Sequence, residues 1–205
     1  MRQVEEVVVL ANSVKHGQHC VAGKCTSNGQ WVRPVSNANG AELSNNQAKY
    51  QNPYGTYGVK TLQKILMGFS AHVPLPHQPE NYLIDGNLWK QNYSIGLGGL
   101  QNYLDYPEDL WGEGNRVNNL RIVSGAYNIP QSLYLVQVDG LSLYKTDEGK
   151  RRASFYYNSS SYDLAVTDPK FDETVRNQQQ VAGILCISLG EVYQGFCYKL
   201  VATIF

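Results

Sequence analysis

The chain has 205 residues, 42% hydrophobic and 17% charged, with seventeen Lys and Arg against seventeen Asp and Glu. That length holds one ordinary domain or two small ones and buries enough surface to fold without a disulfide or a metal. Zero net charge excludes a basic tail that coats nucleic acid, though not a local basic groove; the polarity comes from 17 Asn, 15 Gln and 15 Tyr, which recognise by hydrogen bonding and stacking.

In chain order, the N-terminal apolar stretch runs only over residues 7–11, behind Glu5 and Glu6. This is unlike the basic lead and longer apolar core of an export signal. No run reaches the about 18 to 20 apolar residues of a membrane span. The expectation is therefore a cytoplasmic protein, away from membranes, whose Cys20, Cys25, Cys186 and Cys197 are reduced thiols. Residues 4–10 read as a buried first strand. Residues 20–24 and 31–35 flank Asn28-Gly29, a hairpin signal because both residues accept positive φ. The Asn-rich stretch 36–58 reads mostly as loop, and 61–69 resumes a strand. Residues 72–99 read as loop with a short helix beginning near 78–81, and 103–111 as another short helix broken by Pro107. Strands follow at 133–138, 141–144, 151–157, 162–167, 181–189 and 196–205, with Asn158-Ser-Ser-Ser161 turning a second hairpin.

Two halves share one order. Each opens with an apolar strand, continues with a polar-tipped hairpin (20–35, then 151–167) and adds further strands. Short strands with Gly and Asn turns suit an all-β chain of two small barrels with loop and short-helix insertions. The boundary falls near 127–131, giving domains 1–127 and 128–205; a single β-sandwich is the alternative arrangement of the same strands.

Several pieces fall in one order along nearly the whole chain: Lys15, Cys20-Val-Ala-Gly23, Trp31-Val-Arg33-Pro34, Gln78-Pro-Glu80-Asn81, Tyr162-Asp-Leu-Ala-Val-Thr-Asp168-Pro169, Ser188-Leu-Gly190 and Tyr198-Lys-Leu-Val-Ala202. In these the chain resembles the bacterial dual OB-containing domain family. The resemblance implies two tandem OB-like β-barrels and carries no known reaction. OB barrels often bind oligonucleotides across their strand 2 and 3 face, which here is an expectation by analogy of fold. Lys24 departs from the pattern by placing a charge where an apolar strand residue is expected, which puts it at the barrel rim or facing solvent.

The densest cluster of soft ligands is His16, His19, Cys20 and Cys25, but adjacent strand residues point to opposite faces and no Cys-x2-Cys knuckle occurs, so no metal is expected. A Cys20–His nucleophile fails for the same reason. Signatures of serine hydrolases, zincins and P-loops are absent, and no cofactor is expected. Glu80, Asp85, Asp105, Glu108, Asp109 and Asp168 are candidate carboxylates, but no spacing forces two together. Asp168 reads more simply as a turn residue binding backbone N–H groups, and Glu80-Asn81 as ties for a loop.

Binding features are more telling. Trp31 and Arg33 lie two apart on one strand face with Lys15 in the preceding loop, and an aromatic plane beside a guanidinium suits a stacked base and its phosphate. Trp31 as a barrel plug with Arg33 snorkelling is the competing account. Lys150, Arg151 and Arg152 lead into Phe155, Tyr156 and Tyr157, which suits a single-strand groove or a charged hairpin edge. The leading reading is a non-catalytic module for single-stranded nucleic acid or a nucleotide, with Lys15, Trp31, Arg33, Glu80, Asn81, Lys150, Arg151, Arg152, Tyr157 and Asp168 as its binding residues. The alternatives are an enzyme acting on nucleic acid or a nucleotide through a polar inter-barrel cleft, and a regulatory subunit for a partner enzyme.

Overall fold

The computed structural model describes residues 3–15 and 17–205; the Lys15 side chain is outside that description. The chain divides into two compact units, Met1–Tyr103 and Leu104–Phe205, each built round its own apolar cluster. This division lies upstream of the 127/128 boundary expected from the sequence.

The first unit contains β1 (Gln3–Lys15), β2 (Gln18–Cys25), β3 (Trp31–Val35), β4 (Lys49–Asn52), β5 (Gly55–Gly58), β6 (Gln63–His72), β7 (Asn81–Ile84) and β8 (Trp89–Ser94), and ends in a 3-10 helix, Leu97–Tyr103. Five strands close a barrel in the order β1-β2-β3-β7-β6 and back to β1, with β3 and β7 parallel and the other pairs antiparallel. This is the strand order of an OB-type barrel. Strands β8, β4 and β5 extend the sheet from β6.

Closure rests on β1, whose β-branched run suits a strand paired on both edges. Its first half pairs with β6, its second with β2, and the ladders overlap at Val7 and Val8. A register shift between Val9 and Ala11 re-aims the strand from one ladder to the other. Val7 and Val9 point inward with Val21, Val32, Ile65, Met67 and Phe69. Gly23, opposite Val9, sits where the backbones crowd: a Cβ there would lie 2.1 Å from the Val8 carbonyl oxygen.

The second unit contains β9 (Arg116–Asn118), helix α1 (Asn119–Val123), β10 (Leu133–Gln137), β11 (Asp139–Lys145), β12 (Arg151–Tyr157), β13 (Ser160–Val166), helix α2 (Phe171–Arg176), β14 (Ile184–Tyr193) and β15 (Phe196–Ile204). The sheet runs β10-β14-β15-β13-β12-β11, with β13 and β15 parallel and β9 added to β15. No ladder joins β10 to β11, which are successive in the chain and interrupted at Val138. The expectation of two closed barrels is thus corrected: one barrel closes through its ladders and the second sheet does not.

Both hairpins expected from Asn-containing turns are present. Gly29 has φ 72° between β2 and β3, and Asn158 and Ser159 have φ 44° and 66° between β12 and β13. Other expectations change. The 36–58 loop contains the β4–β5 hairpin, and Tyr50 and Trp89 join the core once β4 pairs with β8. Residues 78–81 form no helix, because Asn81–Ile84 is the strand that bridges β3 and β6. Nor do residues 104–111, beyond the 3-10 helix that ends at Tyr103: the Asp105 N–H donates to the Leu135 carbonyl at 2.7 Å and its carboxylate accepts from the Leu135 N–H at 2.8 Å, which holds the segment against β10. Helices α1 and α2, neither expected, are single short turns.

Lys24 is 5% exposed rather than at a solvent-facing rim. Its ammonium lies 5.3 Å from the Trp31 ring centroid and donates to the Tyr103 carbonyl at 2.7 Å. The second unit has its own buried lysine. Lys199 is 1% exposed, donates to the Gly112 and Glu113 carbonyls at 2.5 and 3.2 Å, and lies 5.3 Å from the Tyr162 ring centroid. Burial depresses its pKa to about 8 from an ordinary 10.5, with Asp109 opposing the shift.

Two expected outcomes follow from this packing. Gly23→Ala forces β1 and β2 apart and lowers stability by about 1–3 kcal/mol, read by urea denaturation. For Lys199, the unfolded chain holds the proton between pH about 8 and 10.5 while the folded chain releases it, so this group adds stability as pH rises through that window. The Cys25 and Cys197 thiols, pushed up to about 11 chiefly by burial, act in the opposite direction above pH about 9. Denaturation at pH about 7.5 and 9 therefore shows wild type gaining on Lys199→Met; a constant difference contradicts this account.

Candidate nucleic-acid interface

On the first unit, both faces of the β2–β3 hairpin are covered. Trp31 is 5% exposed, too little to offer a ring face for stacking. Arg33 is buried and its Nε lies 3.4 Å from the Glu80 carboxylate, while its backbone N–H donates to the Glu80 carbonyl at 2.8 Å. Arg33, Glu80 and Asn81 thus come together, but in the interior of the unit, while Trp31 is buried against Lys24. Asn81 donates to Gln78 Oε1 at 3.4 Å and packs on Gly40, where a Cβ would lie 2.9 Å from its amide nitrogen. These groups hold the 36–44 loop and β7 against β3. Lys15 ends β1 opposite Gln18, and its side chain lies outside the described residues.

On the second unit, most candidates have structural partners. Asp168 is buried and accepts the Lys170 and Ile204 N–H groups, both at 2.8 Å, which fastens the last strand as a turn carboxylate does. Arg151 pairs with Asp172 and donates to the Asp168 carbonyl, docking α2. Hydrogen bonds from Lys145 and Arg151 hold the Asp172 carboxyl below its ordinary value. Tyr157 points inward and donates to the Pro107 carbonyl at 2.7 Å. Lys150 is exposed beside Glu148 at 2.5 Å.

What remains open is the outward face of β11, β12 and β13. Strand alternation sends Ala153, Phe155 and Tyr157 into the core and Arg152, Ser154 and Tyr156 outward. Tyr144 and Ser142 lie opposite Arg152 and Ser154 on one side, with Asp163 and Ser161 opposite Ser154 and Tyr156 on the other. Arg152 donates to the Asp163 carboxylate at 3.1 Å and its carbonyl at 2.6 Å, while the Tyr144 hydroxyl takes the other carboxylate oxygen at 2.9 Å. The Asp163 carboxylate therefore aligns a guanidinium and a phenol on one surface. Tyr156, 56% exposed, lies further along the same face, opposite Ser161.

Sequence reasoning chose Tyr157 from this strand, whereas the exposed ring is its neighbour. The signal was available: Tyr156 is four residues from Arg152, so the two share a face, and Tyr157 shares the face of Phe155. Lys199 and Gln78 were also missed, since a buried polar group carries no local mark in the sequence.

Among the described residues no three His, Cys, Asp or Glu side chains are arranged to hold a metal; His16, one of the four candidate zinc ligands, lies outside them. Glu80 faces Arg33, and Asp168 is taken up by backbone N–H groups. No helix among the described residues is long and apolar enough to cross a membrane.

Removing one partner of a buried ion pair strands the other charge. Arg33→Ala accordingly costs about 3–5 kcal/mol of stability, while a paired Arg33→Met, Glu80→Leu substitution recovers most of it. Thermal and urea melts of the three variants read this directly; a nearly unchanged melt for Arg33→Ala contradicts it.

No curated protein and no solved structure matches the chain. A family model does, that of the dual OB-containing domain, and it spans residues 5–204, across the closed barrel and the second sheet alike. The chain belongs to the dual OB-containing domain family.

Proposed function

We propose that the protein is a non-catalytic binding module for single-stranded nucleic acid or a nucleotide, and that the outward face of β11, β12 and β13 is its contact surface. In this reading the second sheet, although its ladders stay open between β10 and β11, keeps the strand order of an OB fold. Strands β10 and β11 serve as one first strand broken at Val138, β12 and β13 follow as strands 2 and 3, and β14 and β15 as strands 4 and 5. The order of its ladders, with the parallel β13–β15 pair, supports that reading. The β12–β13 surface is then the strand 2 and 3 face on which OB barrels take oligonucleotides.

The observation that carries the proposal is the difference between the two hairpins. Corresponding strands in the first unit bury their aromatic and cation, while β12 in the second leaves Tyr156 exposed on the same face as Arg152 and Tyr144. An exposed ring and a guanidinium spaced along one strand face suit a stacked base and a phosphate further along the same strand of nucleic acid, and unpaired bases are needed for the stack.

Fluorescence anisotropy with a labelled single-stranded 12-mer tests this. Wild type binds single strand more tightly than duplex, and affinity falls with salt at a log-log slope of roughly −2 to −3. Tyr156→Ala costs about 1–3 kcal/mol of binding with its melting curve nearly intact. No binding at tens of micromolar protein in low salt, or equal binding by Tyr156→Ala and Arg152→Ala, rejects this surface.

A further inference from the structure

The second unit carries another aromatic and cationic cluster, on the strands β9, β14 and β15 rather than on the β11–β13 face. Arg116 of β9 lies opposite Tyr198 of β15, and Tyr193 of β14 lies opposite Phe196. Cys197 and Lys199 point inward, 0% and 1% exposed, so Phe196 and Tyr198 face outward. The Arg116 guanidinium carbon sits 4.3 Å from the Phe196 ring centroid and 5.8 Å from that of Tyr198, and its Nη1 donates to the Tyr198 hydroxyl at 3.2 Å. Tyr193, 63% exposed, has its ring centroid 6.3 Å from that of Tyr198.

Charge distinguishes this cluster. Arg33, Arg151 and Arg152 each face a carboxylate, whereas exposed Arg116 has no carboxylate partner among the described residues. Its neighbours are rings, which attract the guanidinium without neutralising it. Of its five N–H donors one goes to the Tyr198 hydroxyl. A planar cation held by rings beside an exposed phenol is complementary to a flat ring bearing an anion: the ring stacks, and the anion takes the fork of guanidinium N–H groups.

We propose that Arg116, Tyr193, Phe196 and Tyr198 form a mononucleotide-binding site, with Arg116 on the phosphate and Tyr193 stacking the base. The site stands on its own observations and does not depend on the β11–β13 surface.

Isothermal titration calorimetry of the full chain at low salt, with adenosine monophosphate as the probe, tests it. Wild type binds the probe more tightly than about 1 mM and at least about tenfold more tightly than adenosine or inorganic phosphate, since both halves of the ligand contribute. Arg116→Lys weakens binding about tenfold or more, because an ammonium offers no planar fork. Tyr193→Ala, at an exposed ring, weakens it about fivefold or more while the melting curve stays in place. The same titrations are run in the Tyr156→Ala background, where the effects of Arg116→Lys and Tyr193→Ala persist, so loss of binding at the β11–β13 face and loss of this site are read separately. The proposal is overturned if wild type gives no saturable heat with the probe, if phosphate alone or O-phosphotyrosine binds as tightly, or if both Arg116→Lys and Tyr193→Ala match wild type.

Discussion

Strand β1 must satisfy two ladders at once, and the barrel of the first unit exists because it can. Pairing with β6 along its first half and with β2 along its second leaves that sheet without an open edge at the closure, where unpaired N–H and C=O groups would recruit another strand. The register shift after Val9 turns the strand between ladders, and Gly23 lets the backbones cross where any side chain would collide with the Val8 carbonyl. From this follow the inward set of Val7, Val9 and Val21 and the bridging position of β7. The second unit divides the same burden between β10 and β11, which meet at Val138, and its ladders stay open there.

The chain has few charges, and the fold spends several of them inside. Lys24 and Lys199 are buried against aromatic rings with carbonyls of a connecting segment as acceptors, Arg33 faces Glu80, and Asp168 caps backbone N–H groups of the last strand and of the turn before α2. In low dielectric such groups are expensive to leave unpaired, so each lies where an acceptor or opposite charge meets it. The proposed binding sites use cations left at the surface on faces that also carry exposed rings. These are Arg152 with Tyr144 and Tyr156, aligned by Asp163, and Arg116 with Tyr193, Phe196 and Tyr198. Both groups lie in the second unit, so the two hairpins of similar sequence character have different accessibility.

The sequence by itself determined the strands and turns whose signals are local. The Val run of β1, the Asn28-Gly29 and Asn158–Ser161 turns, the strand nature of β12 to β15 and the family resemblance were all legible, because β-branching, alternation and positive φ act within a few residues. Even the correct face of β12 could be read from the spacing of Arg152 and Tyr156. Tertiary structure alone decided the rest. Asn81–Ile84 became a strand because β3 and β6 offered it two edges, and 104–111 formed no helix because Asp105 and Leu135 exchange hydrogen bonds across about thirty residues of chain. Trp31 and Arg33 had the composition of a stacking site and were buried instead, since nothing within a hairpin records what will pack over it. Burial depends on contacts distant in sequence, which local pattern does not encode, and accessibility is what separates a binding residue from a structural one.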